Sequence, residues 1–127
     1  MLEIVNNFIN GKFVKPQSNQ YLDLFDPATG SVYGKVADSS IYDINQAVDS
    51  AKQAFPLWSE KTIEERGGYL KKIANEIQNQ SNILAEYESR DTGKPISIAR
   101  KIDIPRAIEN FKFFASYSEN FDFTSYI

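Results

Sequence analysis

Apolar and polar positions along this chain change their period near residue 40, and the change separates two kinds of predicted element. Before it, short apolar runs lie between turn residues. Asn7-Phe8-Ile9 and Lys12-Phe13-Val14 flank Asn10-Gly11, the pair best suited to a tight type I′ turn, so the first two strands are expected to form a hairpin. A polar connector through Pro16 and Asn19 leads to a third strand over 21–25 and a fourth over 31–37. Between these, Asp26-Pro27-Ala28-Thr29-Gly30 reads as a turn, with Asp opening it, proline presetting φ and glycine free to take positive φ. A second hairpin follows.

Beyond Ser40 the period is helical. Ser40 and Asp43 resemble a capping box with Asp in the Glu position, and Ile44, Val48, Ala51 and Phe55 fall on one stripe of a helix that Pro56 is expected to end. Thr62-Ile63-Glu64-Glu65 is a full capping box and opens a second helix with Leu70, Ile73, Ala74 and Ile77 inward. Gly67 and Gly68 would each cost this helix about 1 kcal/mol relative to alanine, so a close approach of another element is expected at both. Ser81 is expected to cap a third helix running to about Arg90, with Ile83, Leu84 and Tyr87 inward. Gly93 and Pro95 then form a stop and a restart. The last helix starts near Ile104 or Pro105 and carries Ile108, Phe111, Phe114, Ala115 and Phe121 on a broad aromatic face. Residues 121–127 alternate like an entering strand whose partner is missing from the chain. The pattern is α+β: β-hairpins, then four or five helices, then the start of a further strand. No repeat, low-complexity tract or linker divides it.

Length and composition narrow the function classes. At 127 residues the chain has the size of one domain. A net charge of −3 supplies no basic field for nucleic acid or anionic lipid, so neither partner is expected. The start has no cationic leader, and no run approaches the roughly 18 apolar residues of a spanning helix, which predicts a soluble, cytoplasmic protein. There are no cysteines and no histidines. A disulfide frame, a thiolate nucleophile and an imidazole base are thereby excluded from these residues, leaving Asp, Glu, Lys and Tyr for acid or base work.

The candidate motifs each have a plainer reading. Thr92-Gly93-Lys94-Pro95 suggests a phosphate loop, but Glu88 and Pro95 stand where such a loop needs glycine and a hydroxyl, so it reads as a helix-to-helix connection. The six glycines never form Gly-x-Gly-x-x-Gly, so no dinucleotide fingerprint is present. Glu86, Glu88 and Asp91 could pair as carboxylates for a metal or for acid-base work, or form a solvated helix face. The aromatic stripe of the last helix reads as core rather than as a stacking platform. Asn79-Gln80-Ser81 matches a glycosylation sequon without other signs of secretion.

Phe8-Ile-Asn-Gly-Lys-Phe13, Phe25-Asp-Pro-Ala-Thr-Gly30, Val36-Ala37, Asn45-x-Ala47-Val48-x-x-Ala51-x-x-Ala54-Phe55 and Trp58 together resemble the start of the aldehyde dehydrogenase superfamily. Glu88-Ser-Arg-Asp-Thr-Gly-Lys-Pro95 and Asn110-Phe-Lys-Phe-Phe-Ala115 continue the resemblance in the same order. It extends from Asn7 to about Tyr117 and points toward the semialdehyde and betaine-aldehyde oxidising branches.

The resemblance implies an α/β family fold, of which residues 1–127 would be the incomplete N-terminal part of the coenzyme-binding domain. It implies oxidation of an aldehyde with NAD or NADP, through a cysteine thiohemiacetal and a glutamate that activates water. No catalytic or coenzyme-binding residue is assigned within this chain, and no activity is expected of its 127 residues alone. The alternative expectation is a non-catalytic interaction module that pairs with a full-length homologue. The complete enzyme would be a homo-oligomer, and the chain on its own is expected to aggregate or to depend on a partner. One family feature falls inside the sequence, a monovalent cation site, which by position would use the backbone carbonyl of Leu24 and the carboxylate of Asp91.

Overall fold

Asn10 and Gly11 take φ of 51° and 73°, both on the positive side that a type I′ turn requires, and the two flanking runs pair across it. The computed structural model describes residues 2–120 and orders its strands as β1 (Glu3–Val5), β2 (Asn7–Ile9), β3 (Lys12–Val14), β4 (Tyr21–Asp26) and β5 (Ser31–Ala37). Strands β2 and β3 form an antiparallel pair in which Phe8 faces Phe13, their rings 5.1 Å apart and edge to face. The second hairpin, β4 with β5, is the antiparallel core of a three-stranded sheet in the order β1-β5-β4. Strand β1 has no counterpart among the strands expected from the sequence. It has only three residues and pairs parallel to β5, a non-local contact that leaves no alternation to read. Gly34 admits it, because a Cβ there would lie 2.9 Å from the Glu3 carbonyl oxygen.

The helices are α1 (Ile41–Ser59), α2 (Ile63–Asn79), α3 (Ser81–Thr92), α4 (Ile96–Ile98) and α5 (Ile104–Asn120), with a π-helical turn over Ala99–Asp103 between the last two. By its contacts the chain divides into a first unit, residues up to Glu60 with Asp91–Gly93, and a second, Lys61–Arg90 with Lys94 onward.

In the first unit, Asp43 organises the start of α1. Its carboxylate accepts the Ser40 N–H at 2.7 Å, the Ser40 hydroxyl at 2.8 Å and the Gln17 N–H at 2.9 Å, and the residue is 5% exposed. The Ser40 backbone N–H, more than any other cause, holds this carboxyl below its usual range, with the Ser40 hydroxyl and Gln17 adding and burial opposing. Pro56 does not end α1. It sits inside the helix, where it removes one donor from the ladder, while its carbonyl still accepts from the Glu60 N–H at 3.3 Å and the Ser59 hydroxyl at 2.8 Å. The stripe of Ile44, Val48 and Phe55 is exposed, since no element of the first unit covers it.

The second unit holds the buried apolar cluster: Ala74, Ala85, Ala99, Ile104 and Ile108, flanked by Ile77, Leu84 and Phe111. The Thr62 box closes as expected, with Thr62 N–H on Glu65 Oε2 at 2.8 Å and Glu65 N–H on Thr62 Oγ1 at 3.2 Å. Helix α2 packs on α5 at Gly67, where a Cβ would stand 3.3 Å from the Ala115 carbonyl oxygen. Lys71 and Glu119 bridge the same two helices at 2.6 Å. Gly68 departs from expectation: among the described residues nothing lies within 4 Å of its position for a Cβ. Ile73, Ile83, Tyr87 and Phe114 are exposed rather than inward. The buried partners are small residues, Ala74, Ala85 and Ala115, which let the helix backbones approach and leave the larger neighbours on the rim. Ser81 lies within α3, the Gln80 carbonyl accepts the Leu84 N–H at 3.0 Å, and the helix runs on to Thr92. The expected strand over 121–127, and Phe121 with it, lies outside the described residues.

Two outcomes test these assignments. Gly68→Ala should raise stability by about 1 kcal/mol in chemical denaturation, whereas Gly67→Ala should fail to gain it because its methyl meets backbone. For Asp43, a folded pKa below the unfolded value means stability that is present above about pH 4 and fades as pH falls through the folded pKa. The melting temperature of the wild type should therefore exceed that of Asp43→Asn at pH 7, and the gap should close in acid.

Candidate cation site

The turn between β4 and β5 is tied by Asp26, whose Oδ1 accepts the Ala28 N–H at 2.8 Å and whose carbonyl accepts from Thr29 at 3.2 Å and Gly30 at 2.7 Å. Just before that turn the ladder slips. Leu24 faces Gly34, but Phe25 faces Val32, so Tyr33 is an extra residue on β5 and forms a β-bulge opposite the Leu24–Phe25 step. A bulge re-aims the side chain it carries. The Tyr33 hydroxyl donates to Asp91 Oδ1 at 2.6 Å. Two residues on, Gly93 turns the chain with φ of 73° and leaves only 3.0 Å between a would-be Cβ and Pro27 Cβ. The segment Asp91–Gly93 thus meets the hairpin twice, by a charge-assisted hydrogen bond at the bulge and by close packing at the turn.

Of the two residues expected from the sequence, Leu24 stands at the bulge and is half-buried, and Asp91 is exposed and held by the bulged Tyr33. The Tyr33 hydroxyl holds that carboxylate through Oδ1. A backbone carbonyl and a carboxylate are hard oxygen donors, the type that suits a hard cation better than zinc. Among the described residues no group of three or more His, Cys, Asp or Glu could hold a metal ion. Within an alternating strand nothing in Val32-Tyr33-Gly34 distinguishes a bulge, so the sequence does not mark Tyr33.

The remaining candidates are committed elsewhere. Glu86 pairs with Arg100 at 3.3 Å and Glu88 with Lys94 at 2.7 Å, so the three acids near the end of α3 serve three different partners. Lys94 Nζ also donates to Asp103 Oδ2 at 2.8 Å. The Asp103 hydrogen bond first, and that of Glu88 second, raise the lysine pKa above its ordinary value. An ammonium held by two carboxylates does not cradle phosphate, which agrees with the reading of this motif as a connection.

The family model described as "Aldehyde dehydrogenase family" matches residues 13–126. The chain belongs to the aldehyde dehydrogenase family. It is 44% identical over 115 residues to 2-aminomuconic semialdehyde dehydrogenase of Mus musculus, covering 91% of this chain and 23% of that protein. It is 38% identical over 122 residues to 5-carboxymethyl-2-hydroxymuconate semialdehyde dehydrogenase of Escherichia coli, covering 96% of this chain and 26% of the relative. A solved NAD+ complex of aldehyde dehydrogenase from Bacillus cereus superposes with a TM-score of 0.89 at 33% identity, over 94% of this chain and 25% of the other. This aldehyde dehydrogenase chain therefore spans about a quarter of the length of the relatives it matches. No helix among its described residues is long and apolar enough to cross a membrane.

The bulge geometry makes Tyr33 and Asp91 energetically coupled. A double-mutant cycle of Tyr33→Phe with Asp91→Asn should return a coupling on the order of 1 kcal/mol in urea unfolding. Strict additivity would remove the hydrogen bond from the account.

Proposed function

We propose that residues 1–127 act as the N-terminal part of the coenzyme-binding domain of an NAD(P)-dependent aldehyde dehydrogenase that oxidises a semialdehyde-type substrate to its acid. In this reading the Leu24 carbonyl and the Asp91 carboxylate contribute to a monovalent cation site. The observation that carries the proposal is the family match over 13–126, supported by likeness to relatives whose names specify semialdehyde oxidation and to a structure solved with NAD+. The working protein is read as a cytoplasmic homo-oligomer that takes an aldehyde substrate and NAD or NADP.

The chemistry assigns this segment a supporting task. With no cysteine and no histidine it offers neither thiolate nor imidazole, so nucleophile and base belong to other parts of the enzyme. The coenzyme, when bound, accepts the hydride. Unit by unit, the exposed apolar side chains suit packing beneath a larger body. In the first unit Ile44, Val48, Phe55 and Leu57 stand open, and in the second Phe113, Phe114 and Tyr117 are exposed, Phe113 meeting Phe114 edge to face and stacking on Tyr117.

The test is intact mass together with NAD(P)H formation at 340 nm on the purified natural gene product offered a semialdehyde. A mass well above 14.4 kDa with turnover supports the proposal. A product of 14.4 kDa without turnover would replace it with the non-catalytic module that pairs with a full-length homologue.

A further inference from the structure

Gln80 closes α2 and starts α3: its N–H donates to the Glu76 carbonyl at 3.1 Å, and its carbonyl accepts the Leu84 N–H at 3.0 Å. The corner between the two helices is therefore tight, and it brings Gln78 and Ser81 to one end of the second unit. The π turn borders the same corner, and in it the Ile104 N–H donates to the Ala99 carbonyl five residues back. Single π turns inside α-helices occur frequently at functional sites. Here the turn and the first turns of α5 enclose, with that corner, an open cavity of about 290 Å³.

The cavity has two kinds of wall. Ile104 and Ile108, one helical turn apart and both buried, form its apolar side with Pro105. Its polar side carries Arg100 from the π turn and Lys112 one turn beyond Ile108, with the Gln78 amide and the Ser81 hydroxyl as neutral groups. Glu109 is the one carboxylate among the described residues that line it, so two cations against one anion leave an excess of one positive charge, in a chain whose net charge is −3. Neither cation is firmly engaged. Arg100 Nη2 meets Glu86 at 3.3 Å and Lys112 meets Glu109 at 3.6 Å, with all four side chains exposed. Exposed pairs of this length add little net stability and exchange readily for a better-placed anion. The guanidinium fork is also the side chain best matched to a carboxylate.

We propose that this cavity binds a small organic monocarboxylate, its charged end on Arg100 and Lys112 and its apolar body against Ile104, Pro105 and Ile108. The volume stands at the lower end of the range for small-molecule sites, roughly 300–1,000 Å³, so the ligand is a short chain or a single ring. A single excess positive charge favours a monoanion over a phosphate ester of higher charge. Glu109 works against the ligand twice, by repelling its charge and by holding Lys112. Removing Glu109 and removing the cations therefore have opposite effects. The proposal is independent of the cation and coenzyme readings above.

The test is calorimetric titration of the purified natural gene product with hexanoate, acetate and hexanamide, read beside amide hydrogen exchange over residues 78–81 and 100–112. Hexanoate should bind with a low-millimolar Kd and slow exchange in those two segments. Acetate, which lacks the apolar body, and hexanamide, which lacks the charge, should bind at least about tenfold more weakly. Arg100→Gln should weaken hexanoate by about tenfold and Lys112→Gln by about threefold, whereas Glu109→Gln should tighten it by about threefold. Glu109 is exposed, so the gain from its substitution carries the test if Arg100→Gln does not fold. No binding of hexanoate up to about 20 mM would overturn the proposal, as would acetate or hexanamide binding equally well. Hexanoate affinity left unchanged by all three substitutions would mean that it binds elsewhere, and would overturn the proposal too.

Discussion

Among the described residues, the first unit has no buried aliphatic or aromatic side chain apart from Pro16, so its arrangement rests on directed polar contacts. Asp43 gathers the Gln17 connector and the Ser40 turn onto the start of α1, and the Tyr21 hydroxyl reaches Asn6 Oδ1 at 2.8 Å. Tyr33 does the same for Asp91. Hydrogen bonds of this kind contribute little net free energy each but have steep distance and angle dependence, so they specify geometry more than they stabilise it. A unit built this way is well suited to presenting oxygen donors, and poorly suited to standing without apolar cover.

The second unit uses the opposite means. Its cluster is made of alanines and two isoleucines, and its helices meet backbone to backbone at Gly67. Small side chains bury little area each, roughly in proportion to their surface, so the contact gains closeness rather than a large hydrophobic term. That choice also explains the exposed rim. Ile73, Ile83 and Tyr87 are large residues next to small buried ones, and a tight helix pair has no room to fold them in.

Much of this was legible in the residues because the signals are local. Asn10-Gly11, the Asp26–Gly30 turn, the Thr62–Glu65 box and the Gly93 stop each depend on a few neighbouring positions, and each lies where its chemistry predicts. What escaped was non-local or a matter of one residue's phase: the parallel β1, the bulge at Tyr33, the π turn over Ala99–Asp103 and, among the described residues, the absence of any neighbour at Gly68. Burial misled for a related reason. Helical spacing identifies which side chains share a face, but not whether anything covers it, and so Phe114, three residues after the half-buried Phe111, is exposed. For the site, the sequence supplied Leu24 and Asp91 only through family resemblance, while Tyr33 became visible only from strand register.

The π turn also carries a consequence for how this helix can vary. Removing one residue between Ala99 and Asp103 would return the run to ordinary α-helical phase with little loss of backbone hydrogen bonding. Yet it would turn every later side chain about a third of the way round the axis, carrying Ala115 away from Gly67 and Glu119 away from Lys71. The turn behaves as a gear tooth: the chain can exchange side chains on either side of it freely, but it cannot gain or lose a position there without disengaging the two helices.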